Sequence, residues 1–247
     1  MPVYEEIVLP GGNVGGAVRV GDTVRRPTGP WTPAVHALLA HVSARGVPHV
    51  PAVHGFDERG REVLDYLPGR VIDIEAEPFG HAQLAALTSW AKRLHAATAG
   101  FVHPGPWRFA PDQGGTLICH NDIAPRNACF DGEDLVGVFD WDCAGPSTPL
   151  LELAFIAWSG LPLYRVNDPR EDAARLRVIA GSYGGYDPVD VLLAVPVRIR
   201  SMVAAIHAGA AAGDPGMANL IAAGEPDSTA AVLAALLDRL PAIIAAL

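Results

Sequence analysis

The stretch that most constrains how this 247-residue chain folds runs from Thr116 to Asp142, TLICHNDIAPRNACFDGEDLVGVFDWD. A short apolar strand, Thr116 to Cys119, opens it, and a polar loop follows. A β-hairpin then turns at Asp131-Gly132, and its second strand, Leu135 to Phe139, ends on Asp140-Trp141-Asp142. Asp122, Asn127 and Asp140 thereby fall at the ends of strands expected to lie side by side.

Those three residue types at that spacing suit phosphoryl transfer. A carboxylate beside the nucleophile orients it and takes its proton, and an amide oxygen with a second carboxylate holds Mg²⁺ against phosphates. The spacing His120-x-Asp122-x4-Asn127, followed by Asp140 after an apolar strand, resembles the catalytic loop and metal-binding segment of the aminoglycoside phosphotransferase and choline kinase family. The resemblance implies Asp122 as catalytic base, Asn127 and Asp140 as metal ligands, and ATP with Mg²⁺ as cofactors. It also implies a two-lobed α+β protein-kinase-like fold, with a small β-rich N-terminal lobe over residues 1–68 and a larger, mainly helical lobe over 69–247. His120 reads as packing under the loop and Asp142 as a cap on the following turn. Glu152 stands where the family carries an acidic residue that braces the loop backbone.

The small lobe is read against the same resemblance. Ile7 to Leu9, Ala17 to Val20 and Thr23 to Arg26 are strand-like, and Gly21-Asp22 is a two-residue hairpin turn. Gly11 to Gly16 is a glycine-rich connection, in which Gly12 and Gly15 let backbone N–H groups approach a phosphate. A strand cation should pair with the phosphates. Lys92 is the chain's single lysine and lies in a later helical pattern, so Arg25 is chosen, with Arg26 on the opposite face as the alternative. The helix expected over 33–45 contains no acidic residue to hold that cation. Strands over 50–56 and 62–66 run into Leu67-Pro68-Gly69, and the resemblance makes Asp65, Tyr66 and Leu67 the hinge whose backbone binds the adenine.

Beyond the hinge the pattern is helical. Phe79, Leu84, Leu87, Trp90, Ala91 and Leu94 share one face of a helix over 79–99. Further helices are expected from about Leu150 and over 169–183, 188–212, 216–224 and 227–246. Composition sets the remaining limits. The net charge of −9 argues against nucleic acid as a partner and accommodates a cationic small molecule. No apolar run approaches the roughly 20 residues needed to span a bilayer, and the N-terminus lacks a signal-peptide pattern, so a cytoplasmic, membrane-free chain is expected. The three cysteines, Cys119, Cys129 and Cys143, form no metal or disulfide pattern and read as core.

The expected activity is transfer of the ATP γ-phosphate to a hydroxyl of a small acceptor of aminoglycoside or amino-alcohol type. Asp168, Glu171, Asp172, Asp187 and Asp190 are candidates for meeting an acceptor's ammonium groups. The alternatives are a nucleotide-binding, pseudokinase-like regulatory module and, third, a metal-dependent phosphoesterase.

Overall fold

The computed structural model describes residues 5–9, 16–110, 115 and 117–247. Residues 7–65 contribute a five-stranded antiparallel sheet. The strands are β1 (Ile7–Val8), β2 (Val18–Val20), β3 (Thr23–Arg26), β4 (Val53–Phe56) and β5 (Glu62–Asp65), in the order β1-β2-β3-β5-β4. Gly21 takes a positive φ of 59° at the β2–β3 turn, as a tight hairpin requires. Helix α1 (Thr32–Ala44) crosses this sheet and buries Val35, Leu38, Leu39 and Val42. Pro33 lies in its first turn, and the chain leaves the helix through Gly46 at a φ of 76°.

The chain then adds a two-residue strand that the sequence did not announce, β6 (Arg70–Val71). It pairs with β8 (Ala128–Asp131), which forms the expected hairpin with β9 (Asp134–Val138). Between them, α2 (His81–Thr98) buries Leu84, Leu87, Trp90, Ala91 and Leu94, the face that the periodicity picks out. The loop strand β7 (Leu117–Cys119) does not lie beside the hairpin. It pairs instead with β10 (Gly145–Ser147), and Cys119 faces Gly145. The segment after Asp142 returns to the strand before Asp122, so the loop and the metal-type aspartate are held by two small sheets.

The remainder is helical: α3 (Pro149–Gly160), α4 (Pro169–Tyr183), α5 (Pro188–Ala211), α6 (Pro215–Ala222) and α7 (Glu225–Ala246). Thr148, Asp168, Asp187 and Asp214 cap the first four of these, and each is followed by a proline in the first turn. A side-chain oxygen there accepts an otherwise orphaned N–H, and proline gives up no intrahelical bond. Helix α3 is apolar on almost every side and is buried from Leu153 to Gly160, which makes it the centre of this lobe. Cys119 and Cys129 are buried, whereas Cys143 is only partly so.

One expectation needs correcting. Helix α7 is, by length and composition alone, apolar enough to cross a membrane. In the structure it packs on the protein, with Leu233, Leu236 and Ile243 buried, and Arg239 bridges to Asp172 of α4 at 2.7 Å.

Candidate active site

Helix α3 positions the loop before the hairpin. Its Glu152 is fully buried and accepts the His120 N–H at 3.3 Å and the Asn121 N–H at 2.5 Å. Burial pushes its carboxyl up, but the 2.6 Å hydrogen bond from His95, together with the Asn121 N–H, holds it below the ordinary glutamate value. Asn121 sits in the left-handed region at a φ of 63°. It is fixed there by Glu152, by its own Nδ2 donating to the Cys143 and Gly145 carbonyls, and by Arg198, which donates to its carbonyl at 2.5 Å. Arg198 lies between the rings of Phe109 and Phe155, and burial brings its pKa down to about 10.

His120 is fully buried beneath the loop. Its Nδ1 accepts the Asp122 N–H at 3.2 Å, its Nε2 donates to the Phe139 carbonyl at 3.1 Å, and its ring packs 4.6 Å from that of Trp141. Both nitrogens are committed to backbone, which leaves the imidazole a support for the loop.

Asp122 is 17% exposed. Asn127 Nδ2 donates to its Oδ2 at 2.8 Å and to its main-chain oxygen at 2.9 Å, and Arg126 donates to its Oδ1 at 2.6 Å. Burial pushes its carboxyl above the ordinary aspartate value; Asp140 adds to the rise, while Arg126 and the Asn127 hydrogen bond oppose it. Because the Asn127 nitrogen is turned to Asp122, its Oδ1 is the amide atom left to act as a ligand. The hairpin register sets Ala128 opposite Val138, and Phe139 donates its N–H to the Asn127 carbonyl at 3.0 Å. Asp140 follows directly at a φ of 63°, with its side chain 38% exposed. An amide oxygen and a carboxylate are hard donors of the type Mg²⁺ accepts while keeping water and phosphate for its other positions, so the pair fits that ion.

The strand arginines differ from expectation. Arg26, the alternative, faces this site: its Nη2 lies 3.0 Å from Asp140 Oδ1 and 2.9 Å from Asp142 Oδ2, and its Nε lies 3.5 Å from Glu62 Oε1. Burial opposes its charge, but Asp142, Asp140 and Glu62 outweigh it and hold the guanidinium above its ordinary value. Arg25 lies on the other face of β3, hydrogen-bonded to Thr23 and 4.0 Å from Asp57. Alternation along the strand puts the two on opposite faces, and the acidic residues across the cleft decide which face turns inward. Asp142, expected to cap the following turn, instead bridges Arg26 and Arg108 at 2.9 and 3.5 Å. Arg108 also clasps Asp214 at 2.7 and 2.9 Å and lies over the Trp31 ring.

Of the expected hinge residues, Asp65 gives its N–H to the Ala52 carbonyl and Tyr66 gives its N–H to Asp22. The Tyr66 ring is covered by Arg19, and the Leu67 carbonyl accepts Cys129 Sγ at 3.6 Å. Gly69 and Gly137 let the hinge press onto the hairpin: a Cβ at Gly69 would lie 2.6 Å from Val136, and one at Gly137 would lie 2.8 Å from Leu67. Gly12 and Gly15 fall outside the described residues. Sequence reasoning missed Glu62, Arg108, Arg126 and Asp214. Arg126 had a local signal, sitting four residues after Asp122, but the other three meet the site only through the tertiary fold.

Residues 106–192, which include Arg108, Asp122, Asp140, Glu152, all of α4 and the first turn of α5, match the model of the phosphotransferase enzyme family. Over its whole length the structure superposes on a choline/ethanolamine kinase family protein from Mesorhizobium loti, with a TM-score of 0.64 at 20% identity, covering 99% of this chain and 92% of the other. Over residues 106–192 the chain is similar to the phosphotransferase enzyme family, and its fold is that of the Mesorhizobium loti protein. The GDP complex of aminoglycoside 2'-phosphotransferase-IIIa has a similar fold, with a TM-score of 0.58 at 14% identity over 95% of this chain and 94% of that one. A trifolitoxin immunity protein from Rhizobium leguminosarum bv. trifolii is 36% identical over 168 residues, 65% of this chain and 64% of that protein. The chain thus spans less than two thirds of the length of the curated relatives it matches.

Proposed function

We propose that the protein transfers a phosphoryl group from Mg·ATP to a hydroxyl of a small molecule, with Asp122 orienting that hydroxyl and accepting its proton. The observation that carries this reading is the pairing of Asn127 Nδ2 with Asp122, in a residue whose main-chain carbonyl accepts the N–H of Phe139, the neighbour of Asp140. Asn127 and Asp140 are the residues that would hold Mg²⁺, whose chemistry when bound is to neutralise charge developing on the phosphates. Arg26 takes the role first given to Arg25 and steadies the phosphates. Leu67, at the hinge, is the main-chain position offered to the adenine. Because phosphoryl transfer asks for positioning and charge neutralisation, this set needs no further nucleophile from the protein.

The acceptor is proposed to be cationic, an aminoglycoside or amino alcohol, on the net charge of −9. A second reading, nucleotide binding without turnover, draws on the Arg26–Asp140 pair, which sets a guanidinium against the aspartate a cation would need. Measuring ADP release across aminoglycosides, amino alcohols and sugars separates the two. Acceptor-dependent, Mg²⁺-dependent release that Asp140→Ala abolishes supports transfer. Mg²⁺-dependent nucleotide binding with no release on any acceptor supports the second reading, and near-normal turnover in Asp140→Ala defeats both.

A further inference from the structure

In a two-lobed kinase of this fold the strand cation is steadied by an acid on the neighbouring helix, yet α1 carries none. The register of β3 and β5 places Glu62 directly opposite Arg26. Glu62 is 2% exposed, a burial that a carboxylate accepts only when paired. One of its oxygens faces Arg26 Nε at 3.5 Å, and the other is 2.9 Å from His36 Nε2 on α1. The His36 ring lies 5.2 Å from that of Phe56, on the neighbouring strand β4.

We propose that Glu62 is the positioning residue for Arg26, and that His36 links α1 to the phosphate cation through it. The acid has moved from the helix to the strand, and the helix keeps its hold on the cation through an imidazole. This rests on the reading of Arg26 as the phosphate cation. The arrangement has a chemical purpose. Arg26 has three acidic neighbours, and two of them, Asp140 and Asp142, lie on the far side of the cleft. With Glu62 in place, part of the guanidinium's bonding is satisfied from the small lobe, and it is held where phosphate oxygens reach its other nitrogens. Without Glu62, Asp140 and Asp142 are the acids left to it, and it competes with a cation for Asp140. Arginine suits such a divided duty because its planar fork addresses two partners at once.

The test compares wild type, Arg26→Ala, Glu62→Gln, His36→Ala and the double variant His36→Glu/Glu62→Gln. The double variant returns a carboxylate to the helix. Two readouts are independent of turnover or of the amount of folded protein: the ATP dissociation constant by calorimetry in EDTA, and the Mg²⁺ concentration giving half-maximal activity. Glu62→Gln is expected to raise both by about tenfold, the scale of one charge-assisted hydrogen bond. His36→Ala is expected to move both in the same direction by about threefold, a fraction of that bond, and the double variant to return them most of the way to wild type.

If Arg26→Ala weakens ATP binding while folded Glu62→Gln changes neither readout, the positioning role is overturned and Arg26 keeps its place. Should Arg26→Ala leave ATP binding unchanged, the phosphate-cation reading falls and takes this inference with it. A folded double variant that recovers nothing also overturns the proposal, since Glu62 would then serve only the core. Where Glu62→Gln does not fold, His36→Ala decides, and unchanged readouts there overturn it.

Discussion

Glu152 is the residue whose removal the structure prices most directly. Glu152→Ala strips the acceptor from three buried donors at once: the N–H groups of His120 and Asn121 and the Nε2 of His95. A buried donor left unsatisfied costs about 1–3 kcal/mol, and breaking a buried charged pair about 3–5 kcal/mol, so the two routes agree on about 4 kcal/mol. Since about 1 kcal/mol moves the midpoint of a protein of this size by roughly 2–4 °C, the melting temperature should fall by about 8–16 °C. Glu152→Gln retains one acceptor oxygen but turns an NH₂ toward a donor, and about half that loss is expected. The pH dependence has a definite sign. Because the Glu152 carboxyl is held below its ordinary value in the folded protein, its stabilisation is present above about pH 4.5 and disappears as pH falls through the lowered folded value. The gap in melting temperature between wild type and Glu152→Gln should therefore persist from neutral pH to that point and close below it. Differential scanning calorimetry from pH 3 to pH 8 measures this. A drop under about 2 °C for Glu152→Ala at neutral pH, well below the scale of one lost buried partner, would refute the view that one carboxylate braces the loop.

Asp122→Asn should lower kcat by about 10²–10⁴-fold with little change in ATP affinity. It should also raise the melting temperature at neutral pH, because a carboxylate held above its ordinary pKa by burial destabilises the fold wherever it is charged; an unchanged kcat would reduce Asp122 to a turn residue. Gly137→Ala would set a Cβ 2.7 Å from Cys129 Sγ and 2.8 Å from Leu67 Cβ, which should cost about 1–3 kcal/mol and raise the KM for ATP by displacing the hinge. Adding Cys129→Ala should recover part of both, and no recovery would show that the contact is not the cause. Arg239→Ala leaves the fully buried Asp172 with Asn167 as its remaining side-chain partner and should cost about 3 kcal/mol at pH 7. Burial already raises the Asp172 pKa, so the loss should shrink as pH falls through that raised value; a loss independent of pH would contradict this.

Local chemistry makes most of the elements legible in the sequence. The Asp131-Gly132 turn, the alternation on either side of it and the cap-proline pairs before four helices are signals a few residues wide. What could not be read depended on residues far apart in the chain. Alternation separates Arg25 from Arg26 but cannot name the inner face, because the deciding carboxylates lie 36 to 116 positions away. Glu62, at the head of an apolar strand, looks like an ordinary strand-end acid until α1 and β3 close over it. Strand β6 is two residues long and has no hydrophobic period to betray it. The pairing of β7 with β10 escaped for a related reason, since Gly-Pro-Ser has the composition of a turn. Helix α7 shows the opposite failure: composition alone marks it as membrane-compatible, whereas Arg239 and three buried apolar side chains fasten it to α4 and its neighbours.

The short strand β6 has a mechanical consequence. It begins one residue after Gly69 and is hydrogen-bonded to β8, whose first residue follows Asn127. The segment entering the helical lobe and the hairpin ending at Asp140 are therefore one piece of sheet, tightened by the contact of Leu67 with Gly137. A swing of the five-stranded sheet would have to pivot ahead of this stitch, between Asp65 and Leu67. The distance from Leu67 to Asn127 and Asp140 then stays constant through the swing, while the distance from Arg26 to Asp140 changes. In such a swing one wall of the cleft would serve as a fixed ruler and the other as the jaw.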